Sequence, residues 1–346
     1  MNRTPILGVL ALLTACGARP WDPGNLVPPT VDEDASLPAL DIRDTRLHVQ
    51  TFGDPAKPTL IFLHGGPGTG DHRSLLRLAD EHNGTSLADD YHLVFYDQRG
   101  AGLSRRHGSI DEAFDYNAPE LTLAEYLADL EALVDHFSPN APVHLFGHSW
   151  GGMHAIQYVN AHPERVGAVV LSEPGSFNAH IENGLDLSIT SIQFTDRALN
   201  DFMWSQQAVS PRDHASLDYL YMVGFLNLGG DDAYHFSETD PLPLYRFGTV
   251  ASLNDLGSDG MELDGTYTFD FSDNLDAYTD EVLFINGDLN TILSVEFQET
   301  KNMPLLPSAR LEVIEGAGHD LMWTRAGAHV QLISQHLADW EVAHAR

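Results

Sequence analysis

The sequence predicts an α/β fold, a mostly parallel sheet with a second, mainly helical unit inserted before the penultimate core strand. Three observations predict it. Short apolar runs alternate with stretches of helical periodicity, the pattern of a parallel sheet. Several runs are almost continuously apolar, as in strands buried on both faces. The alternation breaks between Gly175 and Tyr278, where Asp, Gly and aromatic residues gather without a clear period. The 346 residues, 43% hydrophobic and 20% charged, suit a large core-forming domain with an insertion.

At the N-terminus, residues 1–15 carry one positive charge at Arg3 and an apolar run from Pro5 to Leu13. That run is too short for a bilayer, which needs about 20 apolar residues, and has the layout of a secretory signal. Leu13-Thr14-Ala15-Cys16 resembles a bacterial lipobox, in which Cys16 is lipidated and heads the mature chain. Cys16 is the only cysteine, so an intrachain disulfide is excluded. Residues 16–40 hold five prolines and Asp32-Glu33-Asp34, and read as an extended tether. The expected setting is the cell envelope, at an outer membrane or cell surface, with a lipid anchor as the only membrane contact.

The core is expected over 41–174 and 279–346, and a cap over 175–278. Candidate strands are Leu47–Phe52, Thr59–Leu63, His92–Tyr96, Val143–Phe146, Val166–Leu171, Val282–Ile285 and Leu311–Ile314. Between them, Thr122 and Glu125 form a capping box. Leu123, Tyr126, Leu127, Leu130, Val134 and Phe137 then make an apolar helical stripe. A second helix should begin directly after Ser149, and a last one near Gly327.

Chemistry concentrates at the strand ends. Gly147-His148-Ser149-Trp150-Gly151 follows an apolar strand and precedes a helix, the context of a nucleophile elbow. There a strained turn lifts the serine hydroxyl out of the sheet. His64-Gly65-Gly66-Pro67-Gly68 follows another strand, and its glycines let backbone N–H groups approach a substrate oxygen. His64 itself reads as structural, as does the turn Asp97-Gln98-Arg99-Gly100. His319 follows the last strand and Gly316-Ala317-Gly318, where a general base belongs in the chain order Ser, acid, His.

These three motifs, in this order and spacing, resemble the proline iminopeptidase family of α/β-hydrolases over roughly 41–175 and 280–346. The resemblance implies a serine hydrolase that works without metal or cofactor. It makes Ser149 the nucleophile, His319 the base, and Gly66 and Trp150 the donors of the oxyanion N–H groups. It expects the acid in a Gly-x-x-Asp turn, but the turn here reads Gly287-Asp288-Leu289-Asn290. Three residues therefore compete: Glu173 at the end of an earlier strand, Asp288 if the turn is rebuilt, and Asn290 as a neutral orienting group.

Charge limits the partners. There are 50 acidic and 18 basic residues, a net −32, and Lys57 and Lys301 are the only lysines. Such a surface repels nucleic acid. His144 and His148 lie on a strand and a turn, not on one helical face, which argues against a metal site. The expected substrate is a small peptide, cleaved at its N-terminal residue, proline or similar. The family binds the substrate amine with cap glutamates, and Glu182, Glu238 and Glu262 are available. The alternatives are a carboxylester or lactone hydrolase, or a binding protein with a degenerate triad.

Overall fold

Eight strands form one sheet in the order β1-β2-β4-β3-β5-β6-β7-β8. They are β1 (Ala39–Ile42), β2 (Thr45–Phe52), β3 (Thr59–Leu63), β4 (His92–Tyr96), β5 (Val143–His148), β6 (Val166–Ser172), β7 (Val282–Gly287) and β8 (Ala309–Ile314). The two pairings made by β2 are antiparallel, and the remaining neighbours, from β4 and β3 across to β8, run parallel. The computed structural model describes residues 27–184, 210–226 and 234–345. Cys16, the signal segment and the first part of the expected tether lie outside the described residues.

Strand alternation splits the core into two layers. On β3, Leu60 and Phe62 face the helix Ala326–His344, packing with Val330, Ile333 and Leu337. Ile61 and Leu63 face the other side, where the helices Leu123–Phe137 and Trp150–Ala161 lie. The apolar stripe of the first of these, Tyr126, Leu130 and Val134, is buried. Thr122 caps it, its side chain accepting from the Glu125 N–H. No described helix is long and apolar enough to cross a membrane.

The expected tether needs correction from residue 27 onward. Ala39–Ile42 is an edge strand, antiparallel to β2. Ahead of it, Val31 is 1% exposed and donates its N–H to Leu103 O at 2.8 Å. Asp32 pairs with Arg105 at 2.7 Å, and Arg246 donates to Pro28 O at 2.8 Å. The prolines suggested free chain, yet the short apolar and acidic side chains among them find partners on the body.

β6 and β7 are parallel neighbours, so the chain between Glu173 and Glu281 leaves the sheet and returns one strand over. Its described α-helices are Ala179–Glu182, His214–Leu226 and Thr249–Asn254, followed by a short 3-10 turn at Leu275–Ala277. A buried ion cluster fastens it to the core. Asp218 accepts from Arg106 Nε at 3.0 Å, from Arg246 Nε at 2.7 Å and from the Thr249 N–H at 2.9 Å.

Candidate active site

The end of β5 turns directly into the helix Trp150–Ala161, and Ser149 is the turn. Its backbone sits at φ 55° and ψ −121°, a region that costs a non-glycine residue about 1–3 kcal/mol. Close packing enforces the turn. A Cβ on Gly151 would collide with the Leu63 carbonyl oxygen. The Trp150 N–H is the first of its helix, where no helical carbonyl can satisfy it. Gly66, Ser149 and Trp150 line one cleft of about 140 Å³.

Behind the cleft the Asp97 turn buttresses both glycine loops. His64 Nε2 accepts the Gln98 N–H at 3.0 Å, so its proton sits on Nδ1, which donates to Gly65 O at 2.6 Å. Burial lowers the His64 pKa to about 4, which keeps the ring neutral. Gln98 then accepts from Trp150 Nε1 at 2.6 Å. Asp97 accepts hydrogen bonds from His48 Nδ1 and His72 Nδ1 at 2.9 and 2.7 Å.

Glu173 is the carboxylate beside His319. Its Oε2 lies 2.8 Å from His319 Nδ1, and its Oε1 accepts the Gly287 N–H at 2.9 Å. The residue is fully buried and takes φ 44°. Asn290 approaches the same nitrogen at 3.2 Å with Nδ2, and donates Nδ2 to Glu173 Oε2 at 3.0 Å. Its orientation is set by the network: Oδ1 accepts the Ile292 and Leu293 N–H groups at 3.1 and 3.0 Å. Asn290 therefore presents a donor, not an acceptor, to the imidazole. Asp288 turns away and accepts the Gly316 N–H at 2.7 Å. With Nδ1–H held by Glu173, His319 has its Nε2 lone pair free for a proton. Ser149 Oγ makes no hydrogen bond to that ring, a contact that commonly tightens only with substrate.

His148 supports the base from behind. Its Nε2 donates to His319 O at 2.9 Å, and the rings lie 4.6 Å apart. Burial, reinforced by the neighbouring His319, pushes the His148 pKa well below its usual range. Among the described residues, two clusters have ligand atoms close enough for a metal, His48/His72/Asp97 and His148/Glu173/His319. In both, the facing nitrogens already serve the hydrogen bonds given above.

The cap adds a second feature. Glu182 lines the cleft with Ser149, whereas Glu238 and Glu262 are exposed and do not. Asp255, not anticipated from the sequence, lines it too. Asp255 ends the helix Thr249–Asn254 at φ 49° and ψ −119°, nearly the conformation of Ser149. Burial pushes its pKa up to about 6, against the Tyr267 hydroxyl that donates to it at 2.9 Å and with the charge of Glu182 nearby. Burial also raises Glu182. The only sequence signal was an Asp following a short helical run in the cap.

Comparisons with known proteins agree with this architecture. Residues 58–225 match a family model described as alpha/beta hydrolase fold. A proline iminopeptidase of Xylella fastidiosa is 33% identical over 126 residues, 36% of this chain and 35% of that protein. One from Arabidopsis thaliana is 35% identical over 126 residues, 36% of this chain and 29% of its own length. These two alignments thus span about a third of the relatives they match. A proline iminopeptidase of Lactobacillus helveticus is 28% identical over 290 residues, 81% of this chain and 90% of that protein. The solved proline iminopeptidase of Mycobacterium smegmatis superposes with a TM-score of 0.55 at 18% identity, covering 89% of this chain and 99% of that one. An esterase of Thermogutta terrifontis superposes equally well, at 0.56 and 18% identity, over 87% and 98%. The sheet order, the elbow and the matched model together show that this chain has the alpha/beta hydrolase fold.

Proposed function

We propose that the chain is a serine aminopeptidase that releases an N-terminal residue, proline or one of similar size, from small peptides. The observation that carries this reading is the pair of half-buried carboxylates, Glu182 and Asp255, in the same small cleft as Ser149. Two neighbouring carboxylates partly withdrawn from water are costly without a cation, and a free substrate amine supplies one. The strained backbone of Asp255 supports a functional role, since such strain clusters at functional sites. The cleft volume of about 140 Å³ and its Leu256, Ile292 and Leu293 walls suit one small apolar residue.

The chemistry is that of an acyl-enzyme. His319 Nε2 takes the Ser149 proton as Oγ bonds to the scissile carbonyl carbon, and Glu173 stabilises the resulting imidazolium. The Gly66 and Trp150 N–H groups stabilise the developing oxyanion. The C–N bond then breaks as Nε2 protonates the leaving amine, and water repeats the sequence to free the enzyme. The motive for a degenerate-triad scaffold is Asn290, and Glu173 brings a carboxylate to the same imidazole. The same reading includes a lipid anchor on Cys16. Cys16→Ser should move the protein from the membrane to the soluble fraction, and unchanged membrane fractionation sinks the anchor.

The decisive assay compares Pro-p-nitroanilide, its N-acetylated form and p-nitrophenyl acetate. The free-amine substrate should have the highest kcat/KM among the amides. Asp255→Asn or Glu182→Gln should raise its KM about tenfold or more and leave the acetate ester nearly unchanged. The raised Asp255 pKa sets the sign with pH. The group is charged above about 6 and neutral below it, so the KM for Pro-p-nitroanilide should climb as pH falls through 6. The ratio to the acetate ester cancels any pH effect on the acyl-transfer step that both substrates share. Equal rates on blocked and free amines would exclude an aminopeptidase and leave the esterase.

A further inference from the structure

A strap of cap residues, Tyr234 to Asp240, lies directly against the base. The His319 N–H donates to Tyr234 O at 2.7 Å, and the Ser237 N–H donates to Asp320 Oδ2 at 2.7 Å. Gly318 touches the strap so closely that a Cβ would collide with the His235 carbonyl oxygen. Beyond it, Arg77 grips Asp240 with both guanidinium ends, at 2.6 and 3.1 Å, and Trp323 Nε1 donates to Asp240 at 3.1 Å. The strap is therefore tied down on both sides.

It presents two aromatic rings to the imidazole. Tyr234 lies 4.8 Å from the His319 ring and also lines the cleft. Phe236 lies edge-on at 5.8 Å, contacts Tyr234 at 5.8 Å, and is 42% exposed. A lone exposed phenylalanine ordinarily needs no explanation. This one comes after His235, a non-glycine residue held at φ 51°, on a strap fixed against the base.

The group that returns the proton to the departing amine must stand beside that amine. Of the two rings packed against His319, Tyr234 lines the cleft with Ser149, and Phe236 packs against Tyr234. We infer that Tyr234 and Phe236 form the leaving-group subsite, and that the enzyme selects peptides with an apolar, preferably aromatic, second residue. This rests on the aminopeptidase reading for its substrate class and on the histidine geometry for its location. The acidic pair selects the free N-terminus; the aromatic pair selects the residue on the far side of the scissile bond.

The test is a series of Pro-Phe, Pro-Leu, Pro-Gly and Pro-Asp dipeptides with the full chain. Pro-Phe and Pro-Leu should exceed Pro-Gly in kcat/KM by about tenfold, the scale of burying part of an apolar side chain, with Pro-Asp the poorest. In Phe236→Ala that ratio should fall towards one, and in Phe236→Tyr it should return, both with wild-type melting temperature. A ratio near one in the wild type, or unchanged in Phe236→Ala, overturns the subsite. If no dipeptide is cleaved but esters are, the aminopeptidase reading fails. Acetate esters of 2-phenylethanol and of ethanol then carry the same comparison, and a Phe236-dependent ratio still supports the subsite while a flat one overturns it.

Discussion

Glu173 Oε2 and Asn290 Nδ2 stand 2.8 and 3.2 Å from the same nitrogen of His319. Two strand ends thus converge on one imidazole, one carrying a carboxylate and the other its amide neighbour. Glu173→Gln should lower kcat on the order of 10³ or more, because an amide cannot stabilise the imidazolium by charge. Adding Asn290→Asp should restore activity on the order of tenfold or more, by supplying a carboxylate at the other station. Activity retained in Glu173→Gln alone would remove Glu173 as the acid. A double variant as dead as the single, yet folded, would show that the β7 station cannot serve. Ser149 and His319 were legible because contiguous residues specify their turns. Glu173 was one of three candidates, because Ser172-Glu173-Pro174-Gly175 carries no local signature of an acid. It reaches His319 because the ends of β6 and β7 are adjacent, which is a property of the sheet. Asp255 was not legible at all: its place in the cleft depends on a strained φ and on partial burial, and neither has a sequence pattern.

The strands were readable at the scale of elements for a physical reason. The inner parallel strands, β3 to β7, are buried on both faces and so appear as apolar runs with their own boundaries; Thr59–Leu63 and His92–Tyr96 match to the residue. The edge strand Ala39–Ile42 was not readable. It has four residues, one of them Asp41, and lies half-exposed beside a proline-rich stretch. The same weakness hid the docked segment ahead of it, where burial of Val27, Thr30 and Val31 comes from distant partners and not from periodicity. The strap Tyr234–Asp240 has no regular secondary structure, so nothing in its sequence pattern ties it to His319. Its position depends on side-chain and backbone bonds to Asp320, Arg77 and Trp323. Elements that carry regular burial were foreseen, and those held by single long-range bonds were not.

The charge of the whole molecule acts on two length scales. The net −32 includes 17 acidic and 3 basic residues between 176 and 278, so the insertion is more acidic than the rest. A diffuse negative field over the cleft should raise the encounter rate of cationic peptides, a long-range effect that salt removes. The Debye length shrinks from about 30 Å at 0.01 M to about 3 Å at 1 M. Glu182 and Asp255, by contrast, would meet the amine directly inside the cleft, where screening is weak. The two contributions therefore separate in a salt series. As NaCl rises from 0.01 to 1 M, kcat/KM for a free-amine dipeptide with an added positive charge should fall several-fold, by about ten at most. Its advantage over the N-acetylated peptide should shrink but survive at 1 M, because the pair inside the cleft persists. In Asp255→Asn the residual advantage at high salt should disappear while the slope with salt remains. A rate that holds or rises with salt would eliminate steering and assign the acidic surface to hydration in a saline medium. That outcome would leave the pair inside the cleft, read from the high-salt plateau, as the sole source of amine selectivity.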